Sequence, residues 1–333
     1  MTAGDHRLLV LGLDGATFDV LLPLAERGEL PALKRLMDSG TWGRLHTVIP
    51  PGTGPAWSSI VTGLDPSNHG IFDIIVRAED SYNLAFLNGG ALRAPTVWDI
   101  VGRYGHQVVV LNVPMTFPPK EVNGYLISGL LTPMWSKQFT YPPELAQEIR
   151  SIAPSYRIVP SQVYSAGRAG EFLRELREVL EQKRTVLKHL LVKTDWKFAM
   201  EVFSETDFLQ HALWHVMDET HPRHDPEEAL RFRDEVIDIY RRIDSIIGEV
   251  LEGLDGGVSV MLVSDHGAGP LHSFVHTNNY LIERGAMKVK RSIASRLKFA
   301  MFRAGLTPMN VYRLASRLRL GNVKMGMRWT SGG

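Results

Sequence analysis

Two pairs of residues in this chain have the types and spacing of metal ligands. Asp207 and His211 stand four apart in a stretch that reads as a helix, so both side chains project from one face. That spacing suits two ligands of a single ion. Asp265 and His266 are adjacent, directly behind the apolar run Val258–Val263, and Gly267 frees the turn that aims them at a shared ion. Asp14 ends another apolar run, Leu8–Leu13, with Gly15 after it. Thr53 sits in the stretch Pro50-Pro-Gly-Thr53-Gly-Pro-Ala-Trp57, a Pro- and Gly-rich loop that opens into a helix. A hydroxyl at a helix start lies where backbone N–H groups converge, which favours an anion. Taken singly, each group has an innocent explanation: a helix cap, a satisfied helix histidine, a strand-ending turn. Taken together they point to metal-assisted chemistry. His215, His221 and His224 lack such positioning and read as surface or helix-packing residues.

The elements that must carry these groups are legible as apolar periodicity. Leu8–Leu13, Val108–Val113, Gly124–Ser128, Phe198–Phe203 and Val258–Val263 are short apolar runs of the kind that form strands buried on both faces. Gly43–Val48 is also expected as a strand. Phe18–Ser39 reads as a helix, a turn at Glu29-Leu-Pro31 and a second helix closed by Gly40, while Glu171–Leu191 and Arg231–Leu251 have the period of long amphipathic helices. The pattern predicts an α/β fold, a three-layer sandwich with a central, mostly parallel sheet and helices on both faces. In such sheets ligands sit beyond the carboxyl ends of the strands, where Asp14, Asp207 and Asp265 are expected.

Composition narrows the function classes. Among the 333 residues, 44% are hydrophobic and 22% charged, and the formal net charge is +1. That balance argues against binding a nucleic-acid polymer by bulk electrostatics. Cysteine is absent, which excludes disulfides, thiolate metal sites and a cysteine nucleophile. A metal would have to be held by Asp, His, Glu or hydroxyl oxygen. No apolar run approaches the ~20 residues of a membrane helix. The N-terminus reaches its first strand at once, with no secretory signal pattern, so a cytoplasmic protein is expected. Beyond Glu283, Lys288, Lys290, Arg291, Arg296, Lys298, Arg303, Arg313, Arg317, Arg319, Lys324 and Arg328 have no acid among them. This basic, partly helical segment, 283–333, is a candidate to touch a membrane or a partner.

Leu-Gly-Leu-Asp14-Gly, Pro-Pro-Gly-Thr53-Gly-Pro-Ala-Trp-Ser-Ser-Ile-Val-Thr-Gly, His69-Gly-Ile, Asn112-Val-Pro, Glu205-Thr-Asp207 with His211, and Ser264-Asp265-His266-Gly together resemble the alkaline phosphatase superfamily. The similarity is to its type I phosphodiesterase/nucleotide pyrophosphatase branch, in the prokaryotic phosphohydrolase form, from about residue 7 to about 281. The resemblance implies an alkaline phosphatase-like domain over 1–282, short at its C-terminal end, with a specificity insertion at about 77–195. It implies two divalent metal ions, zinc or alternatively manganese, and a threonine nucleophile that passes through a phosphothreonine intermediate. By position, Asp14, Thr53, Asp265 and His266 would hold one ion, and Asp207 and His211 the other.

Two departures from the family pattern qualify what carries over. The second ion lacks a histidine that the family takes from its C-terminal third, for which His272 and His276 are the nearby substitutes. Ile74 stands where nucleotide pyrophosphatases place an Asn on a phosphoryl oxygen. Sulfatases follow their nucleophile with Pro and Arg, which Thr53-Gly-Pro-Ala-Trp57 does not. The reading that results is a metal-dependent phosphoric ester hydrolase for a small substrate, a phosphodiester rather than a monoester because no Arg in the motifs would clamp a dianion. Its rivals are a phosphoryl transferase or mutase of the same superfamily and a truncated, non-catalytic binding protein.

Overall fold

A computed structural model describes residues 6–78, 84–134, 136–161, 164–165, 167–289 and 291–306. In chain order the strands are β1 (Arg7–Leu13), β2 (Ile75–Arg77), β3 (Leu84–Phe86), β4 (Gln107–Val113), β5 (Gly124–Ser128), β6 (Thr140–Tyr141), β7 (Trp196–Phe203) and β8 (Val258–Val263). The helices are α1 (Phe18–Glu26), α2 (Pro31–Ser39), α3 (Thr53–Thr62), α4 (Pro66–His69), α5 (Val97–Arg103), α6 (Leu145–Ile152), α7 (Ala169–Lys193), α8 (Glu205–Met217), α9 (Pro226–Glu252), α10 (Thr277–Glu283) and α11 (Ile293–Arg303). Six strands form one sheet in the order β6-β5-β4-β7-β1-β8, and β2 pairs with β3 separately. All ladders of the large sheet are parallel except β5 with β6. The expected α/β architecture is therefore the one observed.

Strand pleating sorts the core into two layers, because successive side chains leave opposite faces of a sheet. Leu9, Leu11 and Leu13 of β1 pack with α1, α2, α7, α8 and α9, through residues such as Leu21, Leu33, Leu180, Leu209 and Ile243. The intervening Val10 packs on the other face with Trp57 and Val61 of α3 and Trp98 of α5. Both long amphipathic helices run past their sequence-based limits, and α9 begins five residues early because Asp225 caps it by accepting from the N–H groups of Glu227 and Glu228. The free N-terminus of α2 is satisfied from outside the helix: Asp244 of α9 accepts from the N–H groups of Ala32 (2.9 Å) and Leu33 (2.7 Å).

Gly43–Val48 is not a strand. Its two aliphatic residues, Leu45 and Val48, are three apart rather than two, so neither sheet face collects them. The segment runs as an exposed loop, with Leu45 66% and Ile49 87% accessible.

The chain divides into two compact units. The larger holds the described residues up to Val76 and Phe86–Pro270. The smaller holds those of Arg77–Ala85 and from Leu271 onward, including α10 and α11, neither of which buries a side chain. Arg296, Lys298 and Arg303 of the basic segment lie on α11, whereas Lys290 and the basic residues from Arg313 onward fall outside the described residues. Among the described residues, no helix is long and apolar enough to cross a membrane.

Candidate active site

Strand register brings the acids of the larger unit together. Leu13 is paired with Phe203, and Gly12 with Val263. Continuing those registers puts Asp14 level with Ser204 on one side and Asp265 on the other. The main chain turns at each of these points. Gly15 adopts φ +66°, and a Cβ there would stand 2.9 Å from Asp207 Oδ1. Only a glycine takes that conformation without strain and leaves that space to the carboxylate. Gly12, one turn of the pleat earlier, lets Trp57 reach under the site, since a Cβ would stand 2.4 Å from its ring.

Asp14 is wholly buried. One ligand atom from each of Asp14, Asp207 and His266 falls within 4.8 Å of the others. Thr53 Oγ1 lies 3.2 Å from His266 Nε2 and 3.5 Å from Asp14 Oδ1. His266 Nε2 is also 3.6 Å from Asp14 Oδ1 and 3.3 Å from Asp265 Oδ2. Asp207 thus stands with Asp14 and His266. His211 follows it on α8, 3.2 Å from Asp207 Oδ1, with a largely exposed side chain. His272 and His276 belong to the smaller unit and are exposed. His215 bonds Glu228 of α9 at 3.2 Å, and its carbonyl accepts from His224 Nδ1 at 2.7 Å.

The electrostatics are those of carboxylates crowded together out of water. Burial, then the neighbouring carboxylates of Asp265 and Asp207, push Asp14 well above the usual carboxylate range. Burial likewise raises Asp265, against the opposing pull of His266. Three acids gathered out of water repel one another, and a cation among them removes that penalty. The donor atoms are arranged to suit one. Asp265 Oδ1 accepts from the Gly15 N–H at 3.0 Å, whereas Oδ2 is buried without a hydrogen-bond partner. His266 Nδ1 faces the Gly267 carbonyl at 3.0 Å. A carbonyl only accepts, so Nδ1 carries a proton there, and Nε2 is the ring nitrogen that faces Thr53 and the acids. Hydrogen bonding to Asp207 raises the pKa of His211.

Thr53 is the first residue of α3, whose N-cap, Gly52, offers no side chain to the free N–H groups. Positive helix-end potential therefore falls beside the hydroxyl. The loop before it is tied to the same cluster, since Thr47 Oγ1 donates to the Asp265 carbonyl at 2.7 Å. Sequence reasoning missed three supports: Trp57 under Asp14, Ser204, whose hydroxyl donates to Asp14 Oδ2 at 3.4 Å, and Thr206, which bonds the Asp14 carbonyl. Ser204 and Thr206 precede Asp207 within three residues, and hydroxyls beside a candidate ligand are the one local signal for them.

The family model for type I phosphodiesterase / nucleotide pyrophosphatase matches residues 8–317. Ectonucleotide pyrophosphatase/phosphodiesterase family member 1 of Rattus norvegicus is 25% identical over 299 residues, which are 87% of this chain and 27% of that protein. The phosphonoacetate hydrolase of Sinorhizobium meliloti 1021, solved with phosphonoformate, shares the fold at a TM-score of 0.54 and 19% identity, over 85% of this chain and 62% of that one. Its complex with phosphonoacetate matches equally, at 0.54 and 18% identity. The chain thus spans under two thirds of the length of these relatives. The chain belongs to the type I phosphodiesterase/nucleotide pyrophosphatase family.

Proposed function

We propose that this chain is a metal-dependent phosphoric ester hydrolase with Thr53 as nucleophile, acting on a small phosphodiester. The observation that carries the reading is the position of Thr53 Oγ1, within 3.5 Å of both Asp14 Oδ1 and His266 Nε2 at the open N-terminus of α3. Asp14, Asp265, His266 and Thr53 would hold one divalent ion, and Asp207 with His211 the other. Carboxylate and imidazole donors suit zinc, or manganese. Divalent ions bound there would lower the pKa of the threonine hydroxyl and neutralise charge on the phosphoryl oxygens.

The remaining work falls to the chain. The free N–H groups of α3 orient a phosphoryl oxygen, and Asp14 Oδ1 accepts the hydroxyl hydrogen bond that aligns Thr53 Oγ1 for attack. The new Oγ–P bond forms as the P–O bond to the leaving alcohol breaks, giving a phosphothreonine. Water then cleaves the Oγ–P bond and restores the hydroxyl. The absence of an Arg from the motifs supports a diester rather than a dianion, and Ile74, packed against Gly54, stands where nucleotide pyrophosphatases place an Asn. The test is hydrolysis of bis(p-nitrophenyl) phosphate with added zinc or manganese by the wild-type chain and Thr53→Ala. A loss of about 100-fold or more is expected; equal rates in the two proteins defeat the assignment.

A further inference from the structure

Lys183 of α7 and Glu205 of α8 form an ion pair at 2.8 Å with both side chains wholly buried. Such a pair is an expensive way to hold two helices, because desolvating the charges cancels much of their attraction and apolar residues of similar volume do as well or better. Its value lies in direction rather than in stability. Apart from the Lys183 ammonium group, neither Glu205 carboxylate oxygen has a partner, so that group is what restrains the side chain. Lys183 is itself held, its Nζ lying 3.5 Å from the Val202 carbonyl of β7.

Glu205 and Asp207 are two residues apart in the first turn of α8. At 3.6 residues per turn they point about 200° apart, on opposite sides of the helix. Pulling on Glu205 from behind therefore sets the rotation of the turn that presents Asp207 in front. Two further bonds hold the same turn: Thr206 Oγ1 to the Asp14 carbonyl, and Gln210 Nε2 to the Gly15 carbonyl at 2.9 Å.

From this geometry we infer that Lys183 is a positioning residue, which acts through Glu205 to hold Asp207 within the Asp14–His266 cluster. The inference rests on the metal-binding reading above, and it links that cluster to α7. Lys183 touches none of the proposed ligands, so its effect is one of geometry.

Zinc titration calorimetry on the full chain tests this, run well below the melting temperature of each protein. Lys183→Met is expected to bind zinc about tenfold or more weakly, in the range found when outer supports of metal ligands are lost. A purely structural Lys183 would instead lower the melting temperature and leave zinc affinity at the wild-type value, which overturns the inference. Should Lys183→Met fail to fold, Lys183→Gln combined with Glu205→Gln buries no charge and carries the same measurement. There a weakening of about fivefold or more is expected, and wild-type affinity is the overturning result. If the wild-type chain itself binds no zinc or manganese, the metal reading falls and the inference with it.

Discussion

The Thr206 hydroxyl donates to the main-chain carbonyl of Asp14 at 2.5 Å, and lies 3.2 Å from the Phe203 carbonyl. One side chain thus ties the tip of β1 to the tip of β7, at the level where Asp14 and Asp207 leave their elements. Thr206→Val keeps the shape and removes the donor to the Asp14 carbonyl, while the Phe203 carbonyl keeps the Asp14 N–H at 3.0 Å. A loss of about 1 to 3 kcal/mol is expected in urea unfolding. Weaker zinc binding is expected with it, whereas unchanged stability would show that the bond contributes nothing.

Gly15→Ala should harm the site more than the fold. The added methyl group meets Asp207 Oδ1 at 2.9 Å and forces a side chain into φ +66°. The backbone strain costs about 1 to 2 kcal/mol, and the displaced carboxylate should lower both zinc affinity and phosphodiester hydrolysis. An alanine variant with wild-type zinc affinity would show that Asp207 takes no part in holding the ion.

Glu201 gives the protein a pH dependence of known sign. Burial raises its carboxyl from 4.5 to about 8, outweighing the opposing pull of Lys183 and of Asn112. The folded chain therefore keeps a proton that the unfolded chain releases above about pH 4.5. Stability from this group is complete below that pH and declines through pH 8, by about 1.4 kcal/mol per pH unit at most. Glu201→Gln still accepts the hydrogen bond that Asn112 Nδ2 donates at 2.8 Å. Its unfolding free energy should fall less steeply between pH 5 and 8 than that of the wild type, and parallel profiles would contradict the assignment.

Asp244 carries a structural prediction away from the site. Both its oxygens accept from the first N–H groups of α2, which no residue of that helix can satisfy. Asp244→Ala should cost about 2 to 4 kcal/mol by leaving two buried donors unpaired. Asp244→Asn, which retains one acceptor, should cost about half of that in the same denaturation measurement.

Much of the candidate site was legible before any coordinates, because its signals are local. Asp207 and His211 share a helix face by spacing alone, and the apolar runs ending near Asp14 and Asp265 announce parallel strands whose tips meet at one edge, although β8, at the edge of the sheet, buries none of its residues. What failed was also instructive: Gly43–Val48 has strand-like residue types without a strand's alternation, and no neighbour takes it up.

From its own order of residues the chain determined which segments are strands and helices, and which carry acids, histidines and a hydroxyl at their ends. Periodicity and turn chemistry are properties of neighbours in sequence. Tertiary structure alone decided the register that sets Asp14 beside Asp265, the grouping of Asp207 with His266, and the burial of Lys183 against Glu205. Those outcomes depend on which faces exclude water together, and no spacing along the chain encodes a contact whose partners meet only when the two layers close on the sheet.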